Sequence, residues 1–171
     1  MLLSRKTTGK SGFSLLEMMV VVVIIAILAA VAMPILQDYK WRANRIEARN
    51  ALQAVAHRLG TAYQLEKSYI PVKLKSSSPS VKDILESDGF KDVVDPSLRI
   101  PKGCTNNCWF EFDTENSSIT DNAYTIRVNP RGKQETKDKH CKGFTLTHTG
   151  VKGAVGGKLS GDALIKECWT H

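Results

Sequence analysis

The stretch Gly12-Phe13-Ser14-Leu15-Leu16-Glu17-Met18-Met19, continued by apolar residues that close at Met33-Pro34-Ile35-Leu36, decides how the rest of the chain is read. About two dozen mostly apolar residues are enough to cross a bilayer as a helix rising ~1.5 Å per residue. One carboxylate, Glu17, sits near the start of that run. An acidic group at a helix centre in lipid costs on the order of 2.5–3.5 kcal/mol by insertion scales, so the charge calls for a partner. Before the run stand Arg5, Lys6 and Lys10 with no acid among the first twelve residues. A secretory signal would show a shorter apolar region and a small-residue cleavage site. Here the apolar run passes directly into Gln37-Asp38-Tyr39-Lys40-Trp41-Arg42, a helical pattern, and reads as a retained single-pass anchor. The basic leader favours a cytoplasmic N-terminus. Lys40, Arg42, Arg45 and Arg49 follow the span and pull the other way, so charge alone leaves orientation open.

The helical pattern continues past the anchor. Ala48, Leu52, Val55, Leu59 and Ala62 form one apolar stripe, and Glu47, Asn50, Gln53 and His57 lie opposite. A single helix from about Phe13 to about Glu66 would be roughly 80 Å long. Its first half is apolar all round, and its second half carries one stripe that must be covered. Pro34 removes a backbone hydrogen bond inside it and predicts a kink or a loosened turn.

Beyond Tyr69-Ile70-Pro71 the composition changes. Ser76-Ser77-Ser78-Pro79 reads as a loop, and Ser80-Val81-Lys82-Asp83 reads as a capping box opening one short helix that closes by Gly89. Pro96 and Pro101 mark irregular chain. From Cys104 the period drops to two: Phe110 and Phe112, then Tyr124, Ile126 and Val128, then Phe144 and Leu146, with Val151 to Val155 a weaker candidate. These predict an α+β fold: a long N-terminal α-helix packed against a small antiparallel β-sheet of three to four strands. The expected divisions are a leader at 1–12, an apolar half-helix at 13–36, an amphipathic half at 37–66, a connecting region at 67–103 and a strand-rich region at 104–171. A length of 171 residues allows one such domain beside the anchor.

Cys104, Cys108, Cys141 and Cys168 all follow the anchor, and their even number suggests two disulfides with three possible connectivities. Zinc is the rival reading, since His140 abuts Cys141 and Cys104-x-x-x-Cys108 has tolerable ligand spacing. A second closely spaced ligand pair of the usual form is missing from the sequence. The formal charge is +7, from 24 basic and 17 acidic residues. Removing Arg5, Lys6 and Lys10 leaves 24 − 3 = 21 against 17, or +4, which by itself points to no partner.

Lys10-Ser11-Gly12-Phe13-Ser14-Leu15-Leu16-Glu17-Met18 resembles the processing site of type IV prepilins, with their class III signal peptide: a short basic leader ending in Gly, a Phe, three residues, a Glu and an apolar helix. Gln37-Asp38-Tyr39 after Pro34 and the helical segment ending at Lys67-Ser68-Tyr69 are similar to the same family, as are Cys141-Lys142-Gly143-Phe144-Thr145-Leu146 and the terminal Cys168-Trp169. The N-terminal match covers about fifty residues; residues 70–140 match no family pattern. The resemblance implies that a prepilin peptidase cuts between Gly12 and Phe13 and methylates the new amino group of Phe13. It implies insertion in the bacterial inner membrane with the N-terminus cytoplasmic. The pilus assembly platform then adds the subunit to a homo- or hetero-polymeric filament outside the cell, which needs no cofactor and no catalytic residue. Glu17 would pair with the terminal amine of a neighbouring pilin. Such a buried pair adds little net stability but can specify register. The plain alternative is that Glu17 snorkels to the headgroups. Pro34 marks helix that melts on assembly in this family, and Cys141 and Cys168 stand where its members close a surface loop, worth about 3–4 kcal/mol on the chain-entropy model. Cys104 and Cys108 depart from the simplest two-cysteine pattern; a small ring is sterically allowed, and cross-pairing stays open.

A basic stretch holds Arg127, Arg131, Lys133, Lys137, Lys139, Lys142, Lys152 and Lys158 against Glu135 and Asp138. Phosphate contacts need such residues but no particular spacing, so DNA uptake by a DNA-binding minor pilin is one alternative reading. Phe144 and Trp169 are the candidate stacking aromatics, and a solvated surface or a neighbour's acids explain the charge equally well. A secretion pseudopilin is a second alternative, and the extra cysteines favour a minor pilin over a major one. A membrane-tethered enzyme is disfavoured, since no nucleophile, paired-acid or phosphate-loop constellation is visible.

Overall fold

The computed structural model describes residues 14–156 and 161–170. The chain divides between Tyr39 and Lys40 into two compact units, both entered by helix α1, Leu15–Glu66. In the first unit α1 is helical through Pro34, with every side chain from Ser14 to Tyr39 exposed. It is the one helix among the described residues long and apolar enough to cross a membrane. The helix closes where Lys67 turns to a left-handed conformation (φ 54°) and its N–H bonds the Tyr63 carbonyl, a terminating role that glycine more often fills.

In the second unit the expected stripe is the buried face: Ala48, Leu52, Val55 and Leu59 are fully covered, and Glu47, Asn50, Gln53 and His57 are exposed. The cover is an antiparallel sheet built from β1 (Arg99–Ile100), β2 (Phe110–Phe112), β3 (Ser118–Ile119), β4 (Tyr124–Pro130), β5 (Gly143–Thr147) and β6 (Lys152–Val155). Strand order is β1-β2-β4-β5-β6, with β3 on the same edge of β4 as β2. The seven residues of β4 accommodate both neighbours, because β2 takes Val128–Pro130 and β3 takes Tyr124 and Thr125. Period-two burial is complete along β4, where Tyr124, Ile126, Val128 and Pro130 are buried and the residues between them are half-buried. Ile126 and Val128 join Phe110, Phe144 and the α1 stripe in one core. Each such aliphatic side chain contributes about 1.5–3 kcal/mol on burial. Tyr69 extends this core, stacked on Tyr63 at 4.6 Å and edge-on to Tyr124 at 4.9 Å.

The sheet has six strands where the alternation predicted three to four; the additional β1 and β3 are two-residue pairings too short to show a period. Helix α2 (Val81–Leu85) opens with the expected capping box, in which the Ser80 hydroxyl accepts from the Asp83 N–H and the Asp83 carboxylate accepts from the Ser80 N–H. A 3₁₀ turn over Val72–Ser77 occupies part of the expected loop. Two helices were not anticipated, α3 (Gly132–Lys137) and α4 (Gly161–Thr170). Both are short, and α3 owes its place to long-range contacts that local pattern does not record.

Candidate functional site

From Leu15 to Leu36 the first unit presents apolar side chains on all faces, interrupted by the Glu17 carboxylate in the first turn. An apolar surface of this extent marks a membrane or protein contact. Gly12 and Phe13 lie outside the described residues, as does Lys158.

In the second unit the four cysteines pair within the strand-rich region. Cys104 joins Cys108 across a separation of 4, and Cys141 joins Cys168 across 27. No thiol remains free to hold zinc, and no other cluster of metal-ligating side chains is found among the described residues. The Cys141–Cys168 bridge ties α4 to the start of β5, and both sulfur-bearing residues are fully buried.

Beside that bridge lies a buried polar network. Arg45 of α1 grips Asp138 bidentately, with Nε donating to Oδ2 at 2.7 Å and Nη2 to Oδ1 at 2.6 Å. Gln134 Nε2 donates to the same carboxylate at 2.7 Å and to the Trp41 carbonyl at 3.3 Å, and Asn44 Nδ2 donates to Gln134 Oε1 at 2.9 Å. The backbone N–H groups of His140 and Cys141 also donate to Asp138 Oδ1. Burial pushes the Asp138 carboxyl up, but the Arg45 guanidinium and these N–H donors outweigh it and hold the group below the usual carboxylate range. Arg49, one turn on, donates to the Trp169 carbonyl of α4; burial and then the charge of Arg45 lower its pKa. Two of the four basic residues that follow the apolar run are thus committed to the second unit.

The network joins α1, α3 and the disulfide-bounded region, and sequence reading missed all of its members. One signal was present: Asn44 and Arg45 continue the α1 stripe backwards from Ala48 by four and three residues. A polar identity concealed their buried position.

The basic stretch is not one patch. Arg127 donates to Asn129 Oδ1 at 2.9 Å and stands 3.4 Å from Asp113, while Arg131 bonds Glu111 at 2.6 Å. Lys142 donates to the Glu135 carbonyl, and the Lys152 ammonium lies over the Trp169 ring at 5.3 Å. Lys133, Lys137 and Lys139, on and just after α3, are exposed. The two candidate stacking aromatics are taken by the core, since Phe144 is fully buried and meets Trp169 edge-on at 5.8 Å. Neither presents a free face to a base, which corrects that expectation.

The chain is similar to known proteins at its N-terminus and over part of its length. Residues 8–33 match the family described as the prokaryotic N-terminal methylation motif. The chain is 29% identical over 106 residues to a fimbrial protein of Moraxella nonliquefaciens, covering 62% of this chain and 68% of that one. Among solved structures it resembles the non-core minor pilin PilV of Neisseria meningitidis with a TM-score of 0.42 at 15% identity, over 71% of this chain and 93% of that one. The matched methylation motif thus runs into helix α1, whose first part is apolar enough for membrane insertion.

Proposed function

We propose that this chain is a minor pilin, made as a prepilin, cut between Gly12 and Phe13 and methylated at Phe13. A single span with a cytoplasmic N-terminus holds it in the inner membrane until the assembly platform draws it into the filament. There Glu17 pairs with the terminal amine of a neighbouring subunit, and the helix around Pro34 unwinds. The observation that carries this reading is the fully exposed apolar surface of Leu15 to Leu36 with one carboxylate in its first turn. Each charge of such a pair is costly alone in an apolar bundle and tolerable when joined, so the pair is satisfied in one register. The similarity to a fimbrial protein and the Cys141–Cys168 bracket support a pilus over a secretion filament. The Cys104–Cys108 ring and the unmatched residues 70–140 support a minor over a major role.

Replacing Glu17 with Val tests the assembly step. The variant should be processed and retained in the membrane, yet fall at least about tenfold in sheared filaments, the loss of one tenfold-weighted contact being ~1.4 kcal/mol. Normal incorporation would refute the pairing. The DNA reading loses Arg127 and Arg131 to intramolecular ion pairs and both aromatics to the core. The detergent-solubilised chain is accordingly expected to elute from a DNA column at low salt; retention that falls steeply only at higher salt would restore that reading.

A further inference from the structure

We infer that α3 and the first turn of α1 in the second unit form a basic, aromatic face that docks on anionic phospholipid headgroups of the bilayer holding the subunit. The inference rests on reading Leu15 to Leu36 as a membrane span. Trp41 lies five positions after Leu36, at most about 18 Å of chain even fully extended, so Trp41 is held near the headgroups. Two independent ties bring α3 to that place. Gln134 donates to the Trp41 carbonyl and accepts from Asn44, and Asp138 just past α3 grips Arg45. On the other side, the N–H of Arg131 bonds the Trp109 carbonyl at 2.8 Å, and Lys40 lies over the Trp109 ring at 4.8 Å.

The face so assembled exposes Lys40, Arg42, Lys133, Lys137 and Lys139. Its accompanying acids are Glu135 on α3 and Asp38 in the chain just before it; Asp138 is neutralised by Arg45. Trp41 and Trp109 are half-buried, the partial exposure that suits amphipathic rings at a membrane–water boundary. Charge complementarity and continuity with the span both select the bilayer as occupant. A soluble phosphate lacks the extended anionic plane, and a nucleic acid lacks the connection to the span. Docking gives the exposed lysines a use that neither the ion-paired arginines nor the buried aromatics share. It also holds the domain against the membrane before assembly.

The test is lysine acylation of the full-length, oxidised chain reconstituted in neutral phosphatidylcholine vesicles and in vesicles with roughly 30% phosphatidylglycerol, read by mass spectrometry. Each of Lys133, Lys137 and Lys139 should react about fivefold more slowly in the anionic vesicles, since each basic residue near an anionic surface gains a factor of that order. The protection should vanish at about 0.5 M salt. Lys73, Lys75, Lys82 and Lys91, which lie elsewhere on the domain, should be unaffected. The surface double variant Lys133→Glu/Lys137→Glu should restore Lys139 labelling in anionic vesicles. Equal labelling of α3 in both vesicle types overturns the inference, as does uniform slowing of all lysines. Protection by a short DNA duplex without protection by anionic lipid assigns the face to nucleic acid and overturns it too. Flotation separates the underlying reading: a chain that fails to float with neutral vesicles refutes the span and takes the inference with it. A chain that floats without α3 protection refutes the docking alone.

Discussion

Replacing Asp138 with Ala removes the acceptor for five hydrogen bonds at once and strands Arg45, whose side chain is 5% exposed. Breaking a buried ion pair from one side costs about 3–5 kcal/mol, because the surviving charge is left without water or partner. At an m-value of ~1.5 kcal/mol/M, that lowers the urea midpoint by roughly 2–3 M. Tryptophan fluorescence of the full chain in detergent, with its disulfides intact, reads the transition. The double variant Arg45→Met/Asp138→Leu removes both charges and should recover more than half of the loss, since apolar replacements of a buried pair are often neutral. Acid titration gives an independent check. The Asp138 carboxyl is held below its unfolded value, so its contribution is present above the unfolded carboxylate range, near pH ~4, and fades as pH falls through the folded value. Wild type should therefore lose stability below about pH 4, and Asp138→Asn should be flatter there. A cost below about 1 kcal/mol for Asp138→Ala, or a double variant whose cost equals the sum of the singles, would refute the reasoning.

The two disulfides should differ in worth. Replacing Cys141 and Cys168 with Ser, across a separation of 27, should cost about 3.5 kcal/mol; replacing Cys104 and Cys108, across 4, should cost about 2 kcal/mol, both by chain entropy and both read by urea denaturation. On α1, Leu52→Ala opens a cavity at a fully buried site and should cost about 2–5 kcal/mol, whereas Leu65→Ala, at 80% exposure, should stay within about 0.5 kcal/mol. Similar losses at the two positions would show that the α1 stripe is not the packed face.

Within the second unit, the Arg45–Asp138 grip fixes α3 and the disulfide-bounded region to the α1 segment around Asn44 and Arg45.

Much of this was legible in residue order because the signals are local. The apolar run, the stripe Ala48-Leu52-Val55-Leu59, the Ser80–Asp83 capping box and the alternation along β4 each depend on residues within a few turns of one another. The N-terminal methylation motif is local as well, matched on residues 8–33. What the tertiary structure alone decided involves partners far apart in sequence. Arg45 and Asp138 are 93 residues apart, and nothing in the neighbourhood of either announces a buried pair. The eight basic residues look alike in sequence. Among the described ones, folding sorts them by what stands opposite: Glu111 and Asp113 take two arginines, a backbone carbonyl takes Lys142, and Lys133, Lys137 and Lys139 are left to solvent. Pattern determines which face of an element is apolar, because hydrophobic burial is additive and local in sequence. Which polar groups are buried, paired or free depends on long-range geometry, because a charge is tolerated inside only where a particular distant partner meets it.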